Sequence, residues 1–201
     1  MELIELDDRQ ISEIYNKYMK TDFPKSELKP LKLLLDCRKN GLYKCFGLFD
    51  AGELKAYAYL ANYKEEDVIL LDYLAVISDI RGKGYGSIML TELKNHYKNN
   101  TKVKAVIIEA ESIRSAKDDE QIKLREKRIR FYKRNGLIEQ KLLPVVFGTE
   151  FTILVLEIQD MVDDMRKSEN KYEEYITEGY KNIYRAILSE EKYEKNIIIK
   201  L

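Results

Sequence analysis

Apolar residues in the first third of the chain switch from a helical to a strand-like spacing. Residues 7–19 repeat apolar side chains every three or four positions, the period of one buried helix face, and Asp7 or Asp8 can cap the start. Residues 29–39 predict a second helix, with a proline tolerated in its first turn. The segments LYKCFGLF and LKAYAYLANY, joined by DAGE, predict a β-hairpin. Two helices therefore precede a pair of antiparallel strands.

The middle of the chain predicts a buried strand followed by alternating helices and strands. Residues 68–76, VILLDYLAV, are apolar almost throughout, which is typical of a central strand covered on both faces. A glycine-rich loop, a helix, the strand VKAVIIEAE at 103–111 and a basic helix that ends at Asn135-Gly136 follow. VVFG and FTILVLEI supply the last strands. This order predicts one α/β domain with a mixed sheet flanked by helices.

The composition changes near residue 160, where charged residues and tyrosines become frequent. Seven residues beyond that point fit one face of a long helix; they are Tyr172, Tyr175, Ile176, Gly179, Ile183, Tyr184 and Ile187. We therefore predict a globular domain at residues 1–159 and a helical C-terminal extension at residues 160–201. The extension packs either on its own domain or on a second subunit, which would make a homodimer. The final NIIIKL either adds an edge strand or simply packs.

Charge and cysteine content narrow the classes of function. Lys and Arg number 35 and Asp and Glu number 35, and this zero net charge argues against a nucleic-acid partner because phosphate backbones call for a basic surface. We interpret the basic helix at 122–136 as a solvated, ion-paired face. Cys37 and Cys45 lack CxxC or metal-ligand spacing, so we interpret both as reduced thiols of a cytoplasmic protein.

Two further features limit the predicted chemistry. The first residues, MELIELDDR, lack the cationic end and apolar core of a signal peptide, and no segment approaches the ~18 consecutive apolar residues of a membrane span. His96 is the only histidine, which argues against histidine metal clusters and against most Ser-His and Cys-His mechanisms. We therefore predict neither a membrane partner nor a metal ion.

The segment RGKGYG, at residues 81–86, joins the central strand to the next helix. Its spacing fits neither GxxxxGK[ST] nor the dinucleotide fingerprint GxGxxG, since Ser87 stands where the third glycine is required. A bare turn that opens a helix still directs unpaired N–H groups and the positive end of the helix dipole to one point, which favours an anion such as pyrophosphate. Arg81 and Lys83 add positive charge. The alternative is a plain tight turn whose glycines serve only the backbone angles.

Two motifs resemble those of one family. RGKGYG is similar to the [RQ]-x-x-G-x-[GA] loop of the GNAT superfamily of acyl-CoA-dependent N-acyltransferases, with Arg81, Gly84 and Gly86 at the defining positions. FYKRNGL at 131–137 is similar to the later FY-x-x-x-GF signature, with leucine in place of the final Phe. The resemblance covers about residues 1–158. It implies a mixed, mostly antiparallel central sheet that splays open beside the cofactor, acetyl-CoA.

The resemblance also implies roles for individual residues. The backbone of Ala75 and Val76 would hydrogen-bond the pantetheine arm, and the Val76 N–H would polarise the thioester carbonyl. The coenzyme A pyrophosphate would lie in the loop formed by Arg81, Gly82, Lys83, Gly84, Tyr85, Gly86 and Ser87. Tyr132 would protonate the leaving sulfur, with a packed aromatic residue as the alternative. Many members carry Asn seven residues earlier, where this chain has Arg125, so the cofactor contacts of that side chain stay open.

The amine that such an enzyme acetylates must lose a proton before it attacks, because an amine of pKa about 10 is protonated at neutral pH. Glu109 and Glu111 lie two residues apart on one strand and therefore point to the same face. Glu109 is our first candidate for the base, acting through water, or for a substrate-binding carboxylate. Glu111 is the second candidate, and Asp72 on the preceding strand is another. Alternatively, the two glutamates lie in water at a strand end or pair with the basic helix.

The sequence thus predicts a cytoplasmic, acetyl-CoA-dependent N-acetyltransferase that acts on a small-molecule or peptide amine by direct attack in a ternary complex. Cys37 and Cys45 lie far upstream of these motifs, so no acyl-enzyme is expected. The alternative is a non-catalytic acyl-CoA-binding regulatory or interaction module whose C-terminal extension engages a partner.

Overall fold

The computed structural model describes residues 1–61, 67–159 and 168–200. The strands are β1 (Glu2–Glu5), β2 (Tyr43–Asp50), β3 (Glu53–Ala61), β4 (Val68–Val76), β5 (Ala105–Glu111), β6 (Ile138–Glu139), β7 (Val145–Val146), β8 (Thr149–Glu157) and β9 (Ile197–Ile198). The helices are α1 (Asp8–Ile14), α2 (Lys20–Asp22), α3 (Leu31–Lys39), α4 (Tyr85–Asn100), α5 (Asp119–Arg134), α6 (Glu169–Ile187) and α7 (Glu190–Asn196). Within the described ranges, no helix combines the length and the apolar composition that crossing a bilayer requires.

The chain divides into two compact units, residues 1–64 with 71–96 and residues 65–70 with 97–201. Residues 160–167 and 201 of the predicted C-terminal extension lie outside the described residues. The domain boundary after residue 159 therefore stays a prediction.

The first unit contains strands in the order β1-β2-β3-β4. β2 pairs antiparallel with both β1 and β3. The β2–β3 turn places Ala51 and Gly52 at φ of +50° and +80°, and a tight hairpin turn uses two such positive values. The hairpin predicted from DAGE is therefore confirmed.

The start of α1 is fixed by a reciprocal cap. The Asp7 carboxylate accepts a hydrogen bond from the Gln10 N–H at 2.8 Å, and the Gln10 side chain accepts one from the Asp7 N–H at 2.9 Å. Of the two candidates that the sequence offers, Asp7 and Asp8, Asp7 is thus the cap. After α1 the chain forms a π-helical turn at Tyr15–Met19, where the apolar spacing predicted one continuous helix.

The second unit contains the first three residues of β4 and strands in the order β4-β5-β8-β7-β9, with β6 also paired to β8. β5 and β8 are antiparallel, from Ala105 opposite Glu157 to Glu111 opposite Phe151. β9 pairs antiparallel with β7, so the end of the chain adds an edge strand. The predicted fold class is confirmed: the protein has an α/β fold with a mixed, mostly antiparallel sheet flanked by helices.

The surroundings of β4 change along its length. Residues 68–71 are buried, whereas Asp72, Leu74 and Val76 are partly exposed and alternate with buried neighbours. The predicted burial on both faces therefore holds only for the first half of the strand. One face opens in the second half, immediately before the glycine-rich loop.

The C-terminal extension packs in the second unit through one face of α6. The buried residues of this face include Ile176, Tyr180, Ile183 and Tyr184. A Cβ atom built on Gly179 would lie 2.7, 2.8 and 2.9 Å from three side-chain atoms of Val68, the first residue of β4. Glycine therefore allows the backbone of α6 to approach the strand closely. The extension contacts its own chain, and a homodimer stays a prediction.

We expect Gly179→Ala to lower the free energy of unfolding by about 1–3 kcal/mol, the usual cost of overpacking. Alanine in place of glycine normally stabilises a helix interior by about 1 kcal/mol, so the sign of the change reports the contact with Val68. The Val68 Cβ itself is 2.7 Å away, and a rotamer change therefore cannot relieve the overlap. Urea denaturation measures the change. Glu174→Ala, at an exposed position of the same helix, is the control and should stay within ~0.5 kcal/mol. A stabilised Gly179→Ala variant would contradict this packing.

Candidate functional site

The end of β4 leads into the glycine-rich loop through a 3-10 turn at Ser78–Ile80. Ala75 is buried and Val76 is partly exposed. The N–H of Ile77 donates to the carbonyl of Lys55 on β3 at 3.0 Å. The backbone that the resemblance assigns to the pantetheine arm is therefore held in place by the neighbouring strand.

The loop itself is shaped by two glycines. Gly82 and Gly84 have φ of +81° and +89°, and a Cβ atom on either would meet no atom within 4 Å. The N–H of Ile88 donates to the Gly84 carbonyl at 3.1 Å at the start of α4, so the N–H groups of residues 85–87 lie in the first helical turn, where no intrahelical acceptor exists. Gly86 is buried in that turn. First-turn N–H groups, the positive end of the helix and open space beside the loop are features that favour the binding of an anion.

Arg81 holds the loop in place. Its Nε donates to the Val76 carbonyl at 3.1 Å, and its Nη2 donates to Oδ1 of Asp22 at 2.5 Å. The other Asp22 oxygen accepts a hydrogen bond from the Tyr57 hydroxyl at 2.7 Å. Burial, followed by the hydrogen bond to Asp22, raises the pKa of Tyr57 far above its ordinary value, so this hydroxyl stays a donor. The contacts of Arg81 thus fix the shape of the loop. The exposed Lys83 adds positive charge at the loop surface.

Asp72 belongs to a separate network in the first unit. The Lys29 ammonium lies 2.8 Å from both carboxylate oxygens, and the Tyr43 hydroxyl donates to Oδ2 at 2.5 Å. Burial and the charge of Asp72 raise the pKa of Tyr43 well above its ordinary value. Lys29 also lies 5.4 Å from the centre of the Tyr73 ring. An amine substrate at Asp72 would therefore have to compete with Lys29.

Glu111, the last residue of β5, pairs with the basic helix α5. Nη2 of Arg125 donates to its Oε1 at 2.8 Å, and Nη1 of Arg128 lies 3.9 Å from its Oε2. Arg125 is only 8% exposed and also donates to the Ser112 carbonyl at 2.6 Å and the Ser115 hydroxyl at 3.0 Å. The residue that departs from the family's asparagine therefore ties α5 to the end of β5.

Glu109 contacts the C-terminal extension, and the sequence did not predict this contact. The hydroxyls of Tyr180 and Tyr184 both donate to its Oε1, at 2.5 and 2.8 Å. Glu109 is partly exposed, while both its neighbours on β5 are buried. The predicted helix face did not include Tyr180. Its spacing of four residues from both Ile176 and Tyr184 could have placed it on that face.

Tyr132 lies in the last turn of α5 and is 8% exposed. Burial raises the pKa of its hydroxyl, and the charge of Arg128 partly opposes that change. Gly136, at φ of +82°, ends the helix, and the Leu137 N–H returns to the Tyr132 carbonyl at 3.2 Å. A hydroxyl that keeps its proton at neutral pH suits a general acid, and the same burial suits the packed-aromatic alternative.

The two cysteines are free and buried. Burial raises the pKa of Cys45 to about 12 and also raises the pKa of Cys37. Because the thiolate is the nucleophilic form of cysteine, neither side chain is activated for attack.

The candidate site residues fall into two sets. The loop and strand end at residues 75–87 lie in the first unit, together with Asp72, and Glu109, Glu111 and Tyr132 lie in the second. In the first set, backbone N–H groups, a helix N-terminus and the Lys83 ammonium make up a donor set that fits the diphosphate of coenzyme A. In the second set, the Glu109 carboxylate accepts hydrogen bonds from two hydroxyl groups, and the Glu111 carboxylate forms ion pairs.

Comparisons with known proteins bear on the family and the fold of the chain. A model of the acetyltransferase (GNAT) family matches residues 9–137. The fold is similar to that of ribosomal-protein-S18-alanine N-acetyltransferase from Escherichia coli, at 20% identity and a TM-score of 0.56 over 81% of this chain and 97% of that chain. It is also similar to a mutant spermidine N-acetyltransferase from Vibrio cholerae, at 12% identity and a TM-score of 0.58 over 78% of this chain and 93% of that one. A Salmonella typhimurium protein solved with its cofactor acetyl-CoA matches at 16% identity and a TM-score of 0.57, over 81% of this chain and 96% of that one. No curated protein sequence matches the chain.

The solved structures, at 12% to 20% identity, show the fold alone. The family model is the stronger finding, since it covers more than half of the 201 residues and includes both the glycine-rich loop and Tyr132. The helices α6 and α7 lie beyond the matched residues. The chain therefore belongs to the acetyltransferase (GNAT) family, whose cofactor is acetyl-CoA.

Proposed function

We propose that the chain is an N-acetyltransferase that moves an acetyl group from acetyl-CoA to a primary amine by direct attack in a ternary complex. The observation that carries this proposal is the glycine-rich loop at the start of α4. There, two glycines at positive φ leave open space beside the first N–H groups of the helix. A loop of this kind binds a diphosphate without side-chain interference.

The chain's own residues would hold the cofactor, which supplies an acetyl group activated as a thioester. The backbone of Ala75 and Val76 binds the pantetheine arm, and the Val76 N–H binds the thioester carbonyl oxygen. The N–H groups of residues 81–87 bind the diphosphate, with Lys83 adding charge. Arg81 keeps the loop in shape through its contacts with the Val76 carbonyl and Asp22.

Two side chains would move the protons. A carboxylate oxygen of Glu109 accepts, through water, the proton that the amine loses. The Tyr132 hydroxyl supplies the proton that the leaving sulfur takes, because its raised pKa keeps it protonated at neutral pH. Cys37 and Cys45 stay buried and protonated, so the amine itself is the nucleophile.

The acceptor that we propose is a small-molecule or peptide amine. One similar structure is named for an alanine of a ribosomal protein and another for spermidine. Spermidine and a peptide that begins with alanine are therefore the first two acceptors to test. The cytoplasmic location stays a prediction.

A non-catalytic acyl-CoA-binding module, regulatory or engaged with a partner through its C-terminal extension, is the second candidate. The contacts of the two β5 carboxylates favour it. Glu109 accepts two tyrosine hydrogen bonds, and Glu111 pairs with the buried Arg125. Carboxylates held in this way can stabilise the fold without taking part in catalysis.

An assay of thiol release distinguishes the two candidates. The full chain is mixed with acetyl-CoA and, in turn, with spermidine, the alanine-terminated peptide, a lysine-containing peptide and an aminoglycoside. Mass spectrometry of the amine identifies any acetylated product, and calorimetry measures acetyl-CoA binding in parallel. Thiol release matched by acetylated amine supports the enzyme. Binding without release for every amine favours the module, and absence of acetyl-CoA binding overturns both.

A further inference from the structure

Two hydroxyl groups from the C-terminal extension converge on one oxygen of Glu109. The Tyr180 and Tyr184 hydroxyls lie 2.5 and 2.8 Å from Oε1, and the two rings lie 5.1 Å apart at an interplanar angle of 58°. The residues stand four apart on α6, so both project from the same helix face. Such an arrangement fixes both the position and the orientation of the carboxylate.

The helix that carries these hydroxyls is seated firmly in the second unit. Tyr180 is fully buried and Tyr184 is nearly so. Gly179, the residue before Tyr180, brings the helix backbone against Val68 so closely that no Cβ atom would fit. The donors are therefore held on the carboxylate by packing and do not depend on the hydrogen bonds alone.

Hydrogen bonds donated to a carboxylate favour its charged form, and Glu109 accepts two of them from tyrosine hydroxyls. Burial, together with the charge of Glu109, raises the pKa of Tyr180 well above its ordinary value, so this hydroxyl remains a donor. On the neighbouring strand β8, the residue opposite Glu109 is the uncharged Ile153. On β5 itself, the charge of Glu111 is offset by Arg125 and Arg128. The tyrosine hydroxyls of α6 are therefore hydrogen-bonded directly to the Glu109 carboxylate.

We propose that Tyr180 and Tyr184 are positioning residues for acetyl transfer, which hold the Glu109 carboxylate charged and oriented to accept a proton from the amine. The inference rests on the proposed function, in which Glu109 is the base. Both tyrosines lie beyond residues 9–137, the part of the chain that the family model matches. The C-terminal extension is accordingly a component of the catalytic machinery of this chain and not an independent appendage.

The first arm of the test follows Glu109 without any turnover. The full chain is labelled with ¹³Cδ-glutamate, and the resonance that disappears in Glu109→Gln is that of Glu109. Its chemical shift is then followed against pH in the native chain and in Tyr180→Phe and Tyr184→Phe. Hydrogen bonds donated to a carboxylate favour its charged form, so each phenylalanine should move the titration midpoint upward by about one pH unit. Tyr193 is a buried residue of α7 whose ring lies against Arg185. Tyr193→Phe removes its hydroxyl and should leave the midpoint unchanged.

The second arm measures the pH profile of kcat/KM with the most active amine of the acceptor panel. The acid limb should move upward in parallel with the midpoint in Tyr180→Phe and Tyr184→Phe, while the Kd for acetyl-CoA measured by calorimetry stays the same. Thermal unfolding of each variant verifies that the fold is retained.

The outcomes separate this inference from the proposed function. Parallel upward shifts in both tyrosine variants support it. An unchanged Glu109 midpoint in both variants overturns it, whatever the rates. A midpoint that moves while the acid limb stays fixed also overturns it, because the tyrosines would then hold a carboxylate with no part in catalysis. Full turnover by Glu109→Gln instead refutes the proposed base itself.

Discussion

Replacing Gly84 with valine should remove almost all of the thermal stabilisation that acetyl-CoA gives to this chain. At about 100 times its Kd, the cofactor should stabilise the native protein by about 2.7 kcal/mol, a shift on the order of 5–10 °C in Tm. Gly84 has φ of +89°, which a β-branched side chain rarely adopts, and its missing Cβ leaves open space beside the loop. Valine both strains the loop and fills that space. We expect Kd to rise about 100-fold, so the shift at the same concentration falls to about 1–2 °C.

Gly148→Val is the control that separates the backbone strain caused by valine from the loss of acetyl-CoA binding expected in Gly84→Val. Gly148 lies in the β7–β8 turn with φ of +83° and also has open space around its missing Cβ. Both variants should therefore lose about 1–3 kcal/mol of stability in the absence of ligand. Only Gly84→Val should lose the response to acetyl-CoA in thermal unfolding and calorimetry. Native affinity in Gly84→Val would mean that the loop is a plain turn.

Features set by neighbouring residues were predictable from the sequence. The continuous apolar run at 68–76 predicted β4 to the residue, because turn and loop residues bound it on both sides. A cap at Asp7 or Asp8 and a hairpin turn in DAGE follow from the conformational preferences of Asp and Gly, whereas Ala51 adopts a positive φ that alanine rarely has. The glycine-rich loop was recognisable for the same reason, since its glycines fall between a strand and a helix.

Partners distant in the sequence were not predictable. Tyr180 and Glu109 are 71 residues apart, and Arg81 and Asp22 are 59 apart. Apolar spacing assigns a side chain to a face of its own element, but it does not say which residue of another element lies opposite. The ion pair of Glu111 with α5 was anticipated only as an alternative, because a charged strand end and a basic helix can also remain in water. A carboxylate pair on one face was thus visible in the sequence, whereas the different partners of its two members came only from the fold.

We expect Glu109→Gln to lower kcat for acetyl transfer at neutral pH by about 10²–10⁴-fold, the range typical of a lost general base. Glutamine has nearly the same shape, and its amide oxygen can still accept hydrogen bonds from the hydroxyls of Tyr180 and Tyr184, so the fold should be retained. The acid limb of the pH profile should disappear, because the group whose protonation causes it is gone. The Kd for acetyl-CoA should stay the same, since the loop at residues 81–87 is untouched. Steady-state kinetics from acid to alkaline pH, together with calorimetry, measure these effects.

Glu111→Gln is the matched comparison, because it removes the second carboxylate from the same face of β5. Its ion pair with the buried Arg125 is lost, so this variant should lose about 1–2 kcal/mol of stability. Its acid limb should nevertheless remain, because the carboxylate that accepts the proton is still present. The reverse result, an acid limb lost in Glu111→Gln and kept in Glu109→Gln, would assign the base to Glu111. The hydroxyls of Tyr180 and Tyr184 would then orient a carboxylate that supports the site through packing alone.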